Sequence, residues 1–232
     1  MKKNILLIAM ILLVGITTSL FAQKDRTLSN GFSVNLIIGF PSSNYALTSD
    51  GKMDGYSMLD SDIMGSDYKL SSLFGVQIGN RWYFKPKEKY GFGLMVNWLD
   101  FAMGVKSGTI DGTEWARAVI DFSFLEVGPV GTFVLADNLA LDAYYNLRPT
   151  VLSSATVFTS SGEEDFTYAY VGVGVSHAIG AAVRYKIFNF GMEYTLGSIN
   201  SKGTFSGSSS DETLDDQKNM VNSFRLKFGL KF

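Results

Sequence analysis

The chain of 232 residues contains one histidine and no cysteine. His177 is therefore the only imidazole available as a general base or a metal ligand. A catalytic dyad needs a nucleophile within hydrogen-bond reach. Ser176 is adjacent, and adjacent residues of an extended chain point to opposite faces. His177 thus reads as an interfacial polar side chain. The lack of cysteine excludes disulfides, lipidated cysteines and Cys/His metal clusters. The stretch Asp60-Ser-Asp62-Ile-Met-Gly65-Ser-Asp67 begins like a calcium loop. Its fifth position is Met64, however, and its twelfth is Ser71 rather than Glu. Glu163-Glu164-Asp165 and Asp211-Glu212, with Asp215-Asp216, are acidic clusters in polar stretches, where hydrated loop surface is the simpler reading. Gly172 and Gly174 lack a phosphate-cradling context, and Gly203 and Gly207 sit in a Gly/Ser-rich stretch. No catalytic, cofactor-binding or metal-binding residue is assigned, and no cofactor is expected.

The charges that alternate with apolar residues are more informative. Arg81, Glu126, Asp142, Arg148, Arg184 and Glu193 lie inside segments of period two. Phe32, Val34, Leu36, Ile38 and Phe40 alternate with small and polar neighbours, which predicts a first strand. The second runs to Phe84 with Phe74, Val76, Ile78 and Trp82 on its apolar face. Phe92, Leu94, Val96 and Trp98 define a third. The fourth, from about Ala118 to Leu135, slips phase at Phe124-Leu125, the mark of a β-bulge. Leu139 to Leu147, Val171 to Tyr185, Phe190 to Leu196 and Phe224 to Phe232 complete eight.

The connections alternate in length. Lys85 to Lys89, Ala136 to Asn138 and Phe188-Asn189 are short turns. Ser42 to Asp67, Lys106 to Arg117, Ser153 to Thr167 and Ser198 to Asn219 read as four long polar loops. That asymmetry, with an apolar face rich in aromatics, fits an antiparallel up-and-down transmembrane β-barrel. The fold class is all-β. Trp82, Phe84, Tyr185 and Phe188 would form one aromatic girdle, and Trp98, Phe122 and Tyr170 the other.

Residues 1–22 read as a secretory leader. Lys2 and Lys3 precede an apolar run from Ile5 to Ile16, and Ala22 marks a cleavage point. The run is too short to span a bilayer comfortably, which takes roughly 20 residues. Residues 23–232 then form one domain. The net charge of −2 argues against a nucleic-acid partner.

In a barrel the charged face points into the lumen. Centring the last short turn on Phe188-Asn189 sets Arg184 opposite Glu193. Centring the middle one on Asp137 sets Glu126 opposite Arg148. Opposite charges on facing strands attract, and both pairs are expected inside a lumen that Arg81, Tyr83, Tyr144, Arg148, Arg184 and Arg225 fill. An eight-stranded barrel is just wide enough for such filling.

These features resemble the small outer-membrane β-barrel proteins of the OmpX and OmpA-barrel type, the porin-family groupings included. The ending Phe224-Arg-Leu226-Lys-Phe228-Gly-Leu230-Lys-Phe232 is similar to the signal by which such barrels are recognised for assembly. Phe124-Leu-Glu-Val-Gly-Pro-Val-Gly is similar to a recurrent strand of these families. The resemblance implies residence in the cell outer membrane after leader removal. Its implied partners are outer-membrane lipid, lipopolysaccharide and the barrel-assembly machinery, and it implies a monomer. The functional reading of the acidic clusters, beside the simpler one of hydrated loop surface, is divalent-cation bridging to lipopolysaccharide phosphates. The resemblance implies a structural role or a loop-mediated interaction or adhesion role, with a ligand or partner protein at the loops. A small porin and a lipid-modifying enzyme are the alternatives. Barrels of this type that deacylate lipid A place His and Ser two apart, but Ile179 stands two beyond His177.

Overall fold

The computed structural model describes residues 28–47, 69–110, 112–160, 165–207 and 211–232. The leader at 1–22, the Asp60–Asp67 stretch and Glu163-Glu164 lie outside the described residues. Among the described residues there are ten strands: β1 (Gly31–Pro41), β2 (Leu73–Phe84), β3 (Tyr90–Ile110), β4 (Thr113–Ala136), β5 (Leu139–Ser160), β6 (Phe166–Tyr185), β7 (Phe188–Leu196), β8 (Ser198–Ser206), β9 (Asp211–Met220) and β10 (Ser223–Lys231). Eight of them, β1 to β7 and β10, pair antiparallel in a closed ring, because β10 returns to β1. Closure removes the unpaired edges that an open sheet would carry.

The outward row Phe40, Phe224, Tyr194, Ile179, Tyr145 descends strand by strand. Continued through β4 and β3 it reaches Trp82, whose position on β1 is Asn30, ten residues below the start at Phe40. That is the shear of the barrel. With eight strands it corresponds to a tilt of roughly 40°, within the usual range.

The long strands overturn one expectation. The described residues of Lys106 to Arg117, Ser153 to Thr167 and Ser198 to Asn219 are mostly strand, not loop. They are hairpin extensions of β3–β4, β5–β6 and β8–β9, which pair almost to their tips. β8 continues the β7 ladder against β6 in the same register after an interruption at Gly197. Gly197 has φ +144, which an L side chain rarely adopts. The polar composition that suggested loops reflects an outer surface in water.

The slip at Phe124-Leu125 is a bulge: Leu125 has φ +56, and the β4–β5 register shifts between Ser123 and Val127. The short turns fall at 85–89, at Asp137-Asn138 and at Lys186-Ile187. The last differs from the expected Phe188-Asn189. Tyr185 pairs with Phe188, and Lys186 takes φ +55 to make the turn.

The large apolar side chains of the ring face outward. Leu36, Phe74, Phe92, Phe133, Val183, Phe190 and Phe228 are all exposed. On a protein standing in water such a belt would be costly, whereas in lipid it is required.

Candidate functional site

The lumen is packed with side chains in layers. In the lower lumen, Tyr83, Met95, Val130 and Tyr144 form an apolar layer, with Leu28 against it. Tyr144 swings its ring over Gly180, where any Cβ would lie 2.3 Å from the phenol oxygen. A side chain at position 180 would expel it.

Two ion networks bracket this layer. Asp142 receives Arg81 Nη1 at 2.5 Å, Arg184 Nε at 2.7 Å and Thr132 Oγ1 at 2.6 Å. Further up, Arg148 Nε donates to Glu126 Oε1 at 2.5 Å, and Asn97 Nδ2 to Glu126 Oε2 at 2.7 Å. Arg225 bridges Asp100 at 2.8 Å and Asp121 at 2.7 Å. Lys227 pairs with Glu193 at 2.6 Å. These groups are almost completely buried. Buried charge is tolerable only when paired and hydrogen-bonded, as here.

The expected Arg184–Glu193 pair is not formed. Arg184 stands opposite Asn189, and Glu193 opposite Gly180. The turn lies two residues earlier than supposed. A shift of two keeps every side chain on its face but moves its cross-strand partner by four. Both residues do point inward, with Asp142 and Lys227 as their partners.

Above the ions an apolar plug crosses the lumen: Tyr45, Ala46, Leu70, Leu73, Ala102, Val119, Leu152, Ile199 and Val221. The segment after β1 is folded into the mouth to complete it. Ala46 N donates to Met220 O at 2.7 Å, and Met220 N to Leu47 O at 2.8 Å. Arg117 Nη2 donates to the Tyr45 and Ala46 carbonyls at 3.0 and 2.9 Å. Tyr45 Oη donates to Asp121 Oδ2 at 2.6 Å, which ties the plug to the ions below. Burial, and then the Asp121 carboxylate, hold the Tyr45 phenol above the ordinary tyrosine range.

The hairpin extensions carry their own core. Leu47, Trp115, Phe158, Tyr168 and Tyr170 are buried together, with Phe166, Phe205 and Leu214 packed on them. Tyr170, expected in the outer girdle, belongs to this inward cluster. Outside the belt the physics reverses: apolar groups turn inward and the outer face is polar. The signal was present as large aromatics in the inward phase of β4, β5 and β6.

The remaining candidates are dispersed. Glu212, Asp215 and Asp216 are exposed on β9, and Asp165 is exposed before β6. Among the described residues no group of three His, Asp or Glu side chains is arranged to hold a metal. His177 faces outward on β6, with Tyr145 Oη 2.6 Å from its Nδ1. Phe224, Leu226 and Phe228 face outward on β10, which closes the ring.

No protein-family model matches the sequence, and no curated protein matches it. Solved structures do match. The outer membrane protease OmpT from Escherichia coli superposes with a TM-score of 0.52 at 9% identity, over 88% of this chain and 95% of that one. The chain folds as an outer-membrane β-barrel. Two further matches are the attachment invasion locus protein Ail of Yersinia pestis and OprG from Pseudomonas aeruginosa. Ail aligns at TM-score 0.40 and 14% identity over 88% of this chain and 97% of its own. OprG aligns at 0.41 and 16%, over 88% and 95%. At such identities the likeness concerns the fold alone. This barrel's own lumen is plugged and its mouth is braced.

Proposed function

We propose that this chain is a non-enzymatic protein of the outer membrane whose hairpin end presents a binding or adhesion surface outside the cell. On this reading the leader is removed after export, the assembly machinery inserts the barrel, and lipopolysaccharide surrounds the hairpins. The protein works as a monomer, with both termini on the periplasmic side. The observation that carries the reading is the second aromatic core. A barrel serving only as a membrane filler gains nothing from bracing its hairpins with Trp115, Phe158, Tyr168 and Tyr170. A preorganised surface loses less entropy on binding than a mobile one.

The test replaces each hairpin tip, 108–113, 159–166 and 205–212, by a two-residue turn. Attachment of cells displaying each variant to immobilised extracellular ligands is then compared. Loss of attachment with an intact barrel supports the proposal. Attachment that survives all three replacements overturns it. A solute pathway competes with this reading, but the layers between Tyr83 and Val221 oppose it. Conductance steps on the scale of a general porin in a planar bilayer would favour the pathway.

A further inference from the structure

The outward wall should offer lipid nothing but hydrocarbon, yet it carries a polar pair on β5 and β6. Tyr145 Oη is 2.6 Å from His177 Nδ1, and the rings stack at 5.8 Å with planes 28° apart. Tyr145 is paired with Ile179, and His177 with Leu147, so the two are diagonal neighbours on one face. Tyr194 on β7 is diagonal to His177 on the other side, because Ile179 pairs with Tyr194 and His177 with Leu196. Apolar side chains continue above at Val171, Val173 and Val175, and below at Ile179 and Val183, all of them exposed.

The pair's hydrogen bonding decides what it presents. With the phenol donating to Nδ1, both groups are satisfied and the ring proton sits on Nε2. The opposite tautomer strands the phenol O–H and the Nε2 lone pair together. A protonated ring also carries a proton on Nε2. The N–H at Nε2 therefore has to be satisfied from outside the ring. Among the described residues the hydrogen bond of His177 is the one at Nδ1, and Nε2 has none. Unpaired donors in hydrocarbon cost several kcal/mol. Water is scarce on this wall, and lipid is abundant.

We propose that His177 Nε2, oriented by Tyr145, is a docking point for the acyl carbonyl oxygen of a membrane lipid. Carbonyl oxygens are the acceptors that a bilayer carries at the edge of its hydrocarbon. The row that descends from Phe40 to Ile179 puts His177, two residues above Ile179, in the upper half of the belt. The carbonyl lies over β5 to β7, and its chain runs down over Ile179, where Ala181 and Ala143 face each other and leave room. The inference rests on the barrel standing in lipid, not on the hairpins binding a ligand.

One histidine in the chain makes the test direct. Protein labelled with ¹⁵N-histidine is folded into vesicles of diester phosphatidylcholine and, separately, of its diether analogue, which lacks the carbonyls. The His177 Nε2–H proton should lie downfield in the diester vesicles and move upfield in the diether ones. Lipid A added to the diether vesicles should restore the downfield position, because its acyl carbonyls can dock. Identical positions in all three overturn the proposal, as does a shift that follows protein concentration and so reports contact between copies. The variant His177→Phe keeps the stacking on Tyr145. It should lose one retained lipid in native mass spectra from mild detergent, and an unchanged lipid count overturns the site even if the hairpins bind as proposed.

Discussion

Arg184 grips both oxygens of Asp142, with Nε on Oδ2 at 2.7 Å and Nη2 on Oδ1 at 3.0 Å. Arg81 shares the same carboxylate at 2.5 Å. Fork-to-fork geometry of this kind is among the stronger ion pairs available. Removing the shared anion leaves two buried guanidiniums facing each other. Asp142→Ala should destabilise the folded barrel by about 3–5 kcal/mol. A double-mutant cycle in urea, read by heat-modifiable mobility, should give Arg184 and Asp142 a coupling above roughly 1 kcal/mol. Arg184 and Glu193 should couple far more weakly. Comparable couplings would restore the register centred on Phe188-Asn189.

The bulge on β4 makes a second, purely conformational prediction. Leu125 holds φ +56 while remaining outward-facing. A β-branched side chain tolerates that backbone poorly. Leu125→Ile should therefore cost about 1 kcal/mol although volume and polarity are conserved. Leu141→Ile, on the same face in a regular part of β5, should be near neutral. Equal urea midpoints for the two variants would mean that Leu125 is not in the left-handed region in lipid.

Much of this architecture was legible because a lipid-facing strand must alternate. Phe32 to Phe40 and Phe224 to Phe232 name their own faces, and the phase slip at Phe124-Leu125 located the bulge. Face assignment also survived the misplaced last turn, since an error of two residues preserves parity. Partner assignment did not survive it, because Arg184 found Asp142 through a positive φ at Lys186 that nothing in Lys-Ile announces. The hairpin extensions were hidden for a different reason. Above the belt the apolar phase switches sides, so Phe158 and Tyr168 break the rule that Leu141 and Tyr145 obey. The plug was least visible of all: Tyr45, Ala46 and Leu47 follow β1 without periodicity, and their role depends on Met220 and Arg117, remote in sequence.

The plug carries a pH signature. Tyr45 donates to a buried carboxylate, and removing such a bond costs about 1.5–3 kcal/mol. Tyr45→Phe should speed hydrogen exchange at Ala46 and Leu47 and leave the lower ring protected. Because burial holds the phenol above the ordinary tyrosine range in the fold, its contribution is complete below about pH 10. It is lost as pH rises through the higher folded-state value. Exchange at Ala46 in the wild type, corrected for the intrinsic pH dependence, should stay flat from about pH 7 to about pH 10 and accelerate beyond. The Tyr45→Phe variant should lack that alkaline step. A step in both would assign the titration elsewhere.

Phe158 tests whether the braced mouth is separable from the membrane ring. Its ring stacks on Phe166 at 4.8 Å with planes 15° apart and meets Tyr168 edge-on at 6.0 Å. Truncating a buried aromatic costs about 3–5 kcal/mol, but here the loss falls on strands that extend beyond the belt. The ring below is held by its own ladders and by the Arg148 and Arg225 networks, which Phe158 does not touch. Phe158→Ala should therefore expose the hairpins to added protease while heat-modifiable mobility stays normal. Attachment through the hairpins should fall even though no tip residue has changed, because the surface has lost its preorganisation. If the ring's urea midpoint instead drops by the full cost of the truncation, mouth and ring unfold as one unit. Hairpin deletions would then report on barrel stability rather than on binding, and the attachment assay would have to rely on tip substitutions alone.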